Sequence, residues 1–164
     1  MIQLPPRMTV AQGAGETPMS LCSSNAMLVG RTARDFCKDA GFEFQGVVDG
    51  DAIALQRLAH RCRADEAALK ANATVHQGGL RYSVGGQALS REVLSRKKVR
   101  ICPHCVSSDI EVGHGPQSCR PYGRLQWIVE PLRTCPVHGV GLVTVSDEKR
   151  PARFHDFAQL VQPA

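Results

Sequence analysis

Two near-identical tetrapeptides carry most of the chemistry this chain can offer: Cys102-Pro103-His104-Cys105 and Cys135-Pro136-Val137-His138. Each sets two metal-ligating side chains three positions apart, with a proline directly after the first cysteine. The 29 residues between them are enough for a hairpin or short helix to fold one turn onto the other. Three thiolates and one imidazole complete a tetrahedral shell for Zn²⁺. A closed shell leaves no position for a catalytic water, so the expected metal is structural and the expected protein is a metal-stapled binding module, not an enzyme. Each proline fixes its own φ and has no N–H to donate, which leaves the later N–H groups free to face the sulfurs. Gly139, directly after the histidine, can take the positive φ that closes such a turn. Cys119, His104 and His114 are the alternative ligands, but none belongs to a paired turn of this kind.

The rest of the chain must position those four residues. It has 164 residues, low aromatic content and one tryptophan, Trp127. That suits one domain or two small ones with an Ala/Leu/Val core. Seven cysteines and an N-terminus without a continuous apolar run point to reduced, metal-binding thiols and a cytoplasmic protein. No stretch approaches a membrane span. Cys22, Cys37 and Cys62 fall in helix-like segments, where a small buried hydrophobe is expected. The net charge of +5 is concentrated: residues 81–100 hold Arg81, Arg91, Arg96, Lys97, Lys98 and Arg100 against the single acid Glu92. That stretch alone accounts for the whole excess, an electrostatic footprint for phosphate backbones. Arg91, Arg96, Lys97, Lys98 and Arg100 are therefore candidate nucleic-acid contacts.

The fold class is expected to be mainly α, with a small zinc-binding α/β module. The division is a helical region over 1–98 and a metal module with a C-terminal helix over 99–164. Thr17-Pro18 starts a helix that Gly30 ends, with a hydroxyl cap and proline at the first position. Thr32 to Asp35 is a capping-box pattern that opens a second helix, closed at Gly41. Asp49 or Asp51 caps a third, with Ile53, Leu55, Leu58, Ala59 and Cys62 apolar. Asp65 caps a fourth. The last two, within 51–73, have the shape of a helix-turn-helix whose second member would present Lys70 and Asn72 to DNA. Residues 74–86 look like a loop, and 87–96 like a helix. Val99 and Ile101 suggest a strand, as do 141–145; 125–129 suit a strand or a short helix, and 154–161 a terminal helix. Tyr122, Arg124 and Trp127 are expected to be structural, with Trp127 packed over the metal module and Arg124 bracing a carboxylate or a carbonyl.

Taken in order, Arg100-Ile101-Cys102-Pro103-His104-Cys105, then Tyr122-Gly123-Arg124-Leu125-Gln126-Trp127, then Cys135-Pro136-Val137-His138-Gly139-Val140-Gly141-Leu142, the chain resembles the TniQ domain of bacterial transposition proteins. The resemblance runs over roughly residues 15–145. One departure is Ser20-Leu21-Cys22, where many relatives carry Ser-Trp-Leu. The resemblance implies a targeting adaptor in transposition, a role without catalysis. Its partners would be DNA and an AAA+ transposition regulator or transposase, or a CRISPR effector complex in some systems; a homodimer is left open. The competing expectations are a free-standing zinc-containing helix-turn-helix regulator and a zinc-stapled protein-interaction domain that touches no nucleic acid.

Overall fold

The computed structural model describes residues 8–145 and 155–162. Among them are seven α-helices and two small antiparallel sheets. Four of the first five helices follow the caps written in the sequence. In α1 (Pro18–Leu28), Thr17 accepts from the Ser20 N–H; in α2 (Ala33–Asp39), Thr32 accepts from the Asp35 N–H. Asp51 caps α4 (Ala52–Cys62) and Asp65 caps α5 (Glu66–Ala71) in the same way. Each such cap satisfies N–H groups that the first turn leaves without an acceptor. A short helix the sequence did not announce, α3 (Phe44–Val48), lies between α2 and α4.

Helix α1 is buried from Pro18 to Ala26, polar residues included. It is the central strut of the molecule, so no amphipathic stripe marks it. Leu21, Cys22, Phe36, Cys37, Leu55, Leu58, Cys62 and Leu69 close the helical core around it. The three cysteines are packing groups there, as their helical setting implied. Helices α4 and α5 pack together through the turn at Arg63, Ala64 and Asp65. Arg63 ends α4 at φ 54 and is the one non-glycine with positive φ among the described residues. Such a left-handed residue costs about 1 kcal/mol unless it is glycine.

The segment read as a loop and then a helix is a sheet. Strands β1 (Thr74–His76), β2 (Arg81–Val84) and β3 (Gln87–Ser90) form an antiparallel meander. Gly85 and Gly86, at φ 57 and 80, make the two-residue turn from β2 to β3. Two successive positive φ values are what a right-twisting hairpin needs. The expected 87–96 helix shrinks to a single 3₁₀ turn at Arg91–Val93. The second sheet pairs β4 (Arg100–Ile101) with β5 (Val143–Thr144). Between them lie α6 (Pro103–Val112) and a 3₁₀ turn at Leu125–Ile128. The terminal helix is α7 (Phe157–Leu160); Phe154, its expected start, lies outside the described residues. Among the described residues no helix is long and apolar enough to cross a membrane.

The two regions are zipped along a seam. The Glu16–Arg124 bridge, Thr17 N–H to the Gly123 carbonyl (3.0 Å) and Leu125 N–H to the Gly15 carbonyl (3.0 Å) tie the start of α1 to 123–125. Asp156 does the same for α7: its carboxylate accepts from the Ser23 hydroxyl and, at 2.9 Å, from the Ala33 N–H.

Candidate metal centre

Strand β4 delivers Cys102 to the N-cap of α6, where Pro103 occupies the first helical position and Cys105 the first turn. The C-P-x-C turn is thus the start of a helix, a placement the sequence analysis missed although proline at this position favours it. The N-terminal N–H groups of α6 make this a favourable place for an anionic sulfur. The second turn is a tight loop. The Cys135 N–H donates to the Val140 carbonyl and the Gly139 N–H to the Cys135 carbonyl, both at 2.8 Å, with Gly139 at φ 65.

The folding of these two turns brings the donor atoms of Cys102, Cys105, Cys135 and His138 within 4.8 Å of one another. His138 turns Nδ1 toward the sulfurs, at 3.5 Å from Cys102, 3.3 Å from Cys105 and 3.7 Å from Cys135. The Cys105 and Cys135 sulfurs are 3.6 Å apart. Tetrahedral zinc, with Zn–S of about 2.3 Å and Zn–N of about 2.0–2.1 Å, requires donor separations of about 3.5–3.8 Å. The donor set and its spacing fit such an ion. Burial pushes the Cys135 thiol up, but the N–H groups of His138 and Val137 and the His138 ring outweigh it and hold it down to about 6. Cys105 is pushed up to about 12 by burial and by its contact with Cys135. His104 lies beside the cluster, its ring 5.5 Å from that of His138, and Cys119 packs elsewhere against Ser118. Neither joins the four, nor does His114.

The other motif residues frame the two turns. Trp127 is 2 % exposed and stacks on Phe157 in the core that includes the three cysteines. Arg124 donates to both carboxylate oxygens of Asp109, at 2.7 and 2.9 Å, and its guanidinium lies over the Tyr122 and Trp127 rings. Asp109, which no sequence pattern singled out, is the anchor of this fork. Arg100 corrects an expectation. It is buried, and its guanidinium donates to the carbonyls of Trp127 (2.7 Å), Val129 (2.7 Å) and Leu132 (3.0 Å). These carbonyls take up its donors, so Arg100 braces the chain leading to Cys135 and faces no solvent partner.

The remaining sequence candidates stay apart from the cluster. Arg96 faces Asp49 at 3.5 Å and lies over the Tyr82 ring. Arg91, Lys97 and Lys98 are exposed. Lys70 pairs with Glu66 at 2.6 Å, and Asn72 caps α5 with its amide on the Ala68 carbonyl.

A helical domain welded to a Cys₃His metal module defines the class of protein. A family model described as TniQ matches residues 7–142, and the chain belongs to the TniQ family, which is associated with transposition. Nothing matches among curated proteins or among solved structures.

Proposed function

We propose that this chain is a non-catalytic adaptor in DNA transposition, linking target DNA or a targeting complex to the transposition ATPase or transposase. The observation that carries this is the family match over most of the chain. The metal geometry supports it: a Cys₃His shell uses all four positions of a tetrahedral zinc, so the ion holds the fold and activates no water. The helical region and the metal module, at 1–98 and 99–164, then offer two faces for two partners. Capture tests the reading. The chain should retain the AAA+ protein encoded beside its gene, and more of it when duplex DNA is present. Capture of neither DNA nor any transposition protein refutes the adaptor role.

The packed pair α4 and α5 favours a second reading, a helix-turn-helix regulator that acts alone. Sequence-specific binding by the isolated chain, with no transposition partner, would choose it.

A further inference from the structure

Charge counted along the chain and charge displayed on the surface give different maps. Residues 81–100 carry the whole net charge, yet Arg100 is buried on carbonyls and Arg96 is engaged with Asp49 and Tyr82. The outer side of α4 offers what that stretch loses. Gln56, Arg57 and His60 are exposed on it, Arg61 is half-buried in its last turn, and Arg63 continues the row just past its end. Two shallow grooves of about 790 and 570 Å³ meet there and share Gln56 and His60. One reaches Arg63 and Glu66; the other reaches Arg57, Arg61 and Asp39. Both acids are already matched, Asp39 with Arg31 at 2.7 Å and Glu66 with Lys70 at 2.6 Å. The three arginines have no carboxylate partner among the described residues. Arg57 donates to the Gly41 carbonyl and Arg61 lies over the Phe36 ring. Arg63 holds its cation at the tip of the turn in a left-handed conformation that glycine would adopt without strain.

We infer that this face of α4 binds the phosphate backbone of duplex DNA. The inference rests on the DNA arm of the adaptor reading and gives that arm a place. Arg57 and Arg61 lie one turn apart along a helix, with Arg63 just beyond, so their charges run along a line as phosphates do. In a two-helix reader the first helix crosses the backbone, which is the position α4 holds. The second helix here is six residues long and its Lys70 is tied to Glu66, so the contact positions the protein without reading bases.

The test uses the full, zinc-loaded chain and a labelled duplex of arbitrary sequence, titrated by anisotropy over a range of salt. Substituting Arg57→Gln, Arg61→Gln and Arg63→Gln together should flatten the slope of log affinity against log salt by about 0.9 for each arginine lost. Arg63→Gly alone should flatten it by about 0.9 while raising Tm, because it removes a charge and a backbone strain together. A merely structural Arg63 cannot give weaker binding in a more stable protein. The inference is overturned by an unchanged slope in both variants, by absent DNA binding in the unmodified chain at low salt, or by a larger flattening from Lys97→Gln with Lys98→Gln. Stronger retention of an RNA duplex or of polyglutamate than of DNA assigns the face to another polyanion and also overturns it. Failure of AAA+ capture with these slopes intact refutes the adaptor reading alone.

Discussion

The core of the helical region and the core of the metal region are made of different material. The first closes on leucine, valine, phenylalanine and alanine from five helices, and its three cysteines serve as small apolar groups. The second has seven buried members, and three of them are Cys102, Cys105 and Cys135. In one region a thiol substitutes for a methyl group; in the other, three thiols and an imidazole lie close enough together to hold a cation. The backbone around each explains the difference. Cys22, Cys37 and Cys62 sit inside helices, where N–H groups are already bonded along the axis. Cys102 sits at a helix start and Cys135 in a tight turn, where the N–H groups of Val137 and His138 face its sulfur. The helical region should therefore stand on hydrophobic burial, and the metal region on its ion.

Removing the metal is the largest test of that contrast. A structural zinc site is worth about 10–16 kcal/mol in small fingers, more than the whole stability of many domains. Metal analysis of the purified chain should give one zinc per molecule. Chelation, or Cys135→Ser, should release it and expose Trp127, which sits in the metal region's core and is the sole tryptophan. A red shift of its fluorescence with most far-UV helicity retained is the expected result. Full zinc loading in Cys102→Ser/Cys135→Ser would refute the ligand assignment.

The same contrast explains what the sequence disclosed. The four candidate ligands were legible because both turns are local: residue type and a spacing of three suffice to single out residues that the fold then brings together. The caps at Thr17, Thr32, Asp51 and Asp65 were legible for the same reason, since each side chain bonds an N–H two or three residues on. The β1–β2–β3 meander was not. Gly85-Gly86 carried the hairpin signal, but Gln87 to Ser90 is mostly exposed and shows little apolar alternation. Arg100 and Asp109 were illegible for a further reason. Their partners lie 27–32 and 15 residues away, so only the folded chain could show that one is a brace and the other an anchor. The charge run at 81–100 was legible as a run, but the engagement of Arg96 and Arg100 within it was not, because the sequence does not display a cation's partners.

A smaller perturbation probes the other core. Leu58 is fully buried on α4. Leu58→Ala should cost about 3 kcal/mol through lost burial and a residual cavity. The stoichiometry of bound zinc should stay at one, because Leu58 belongs to the helical core and the four candidate ligands lie on none of its helices. A drop in Tm with full zinc sharpens the contrast; loss of zinc together with stability would mean that the two cores melt as one unit.

The seam between the regions offers the finest test, through pH. Glu16 is 1 % exposed and accepts from the Gly13 N–H and the Ser20 hydroxyl, both at 2.7 Å. Burial pushes its carboxyl up to about 7; those hydrogen bonds and Arg124 oppose the rise and Asp109 adds to it. The folded chain thus holds this proton more tightly than the unfolded chain, whose value lies near 4.5. Its stabilising effect is complete below that pH and is lost as pH rises through 7. His155 works in the other direction. Burial, with Arg96 adding and Asp49 opposing, depresses its ring to about 4, so its contribution holds above pH 6.5 and is lost as pH falls through 4. Between 4.5 and 6.5 the two slopes oppose each other and the unmodified chain should show little net trend from this pair. Glu16→Gln removes one slope. Denaturant midpoints of the two proteins, compared pH by pH, should lie nearest each other near pH 4.5, where the amide stands in for the protonated carboxyl, and the unmodified chain should fall behind the variant toward pH 7, by up to about 3 kcal/mol at 1.36 kcal/mol per unit. Taking the difference cancels the acid release of zinc common to both proteins. A flat difference, or an unmodified chain that gains on the variant as pH rises, would show that Glu16 is ionised in the folded seam and that Arg124 serves two carboxylates there.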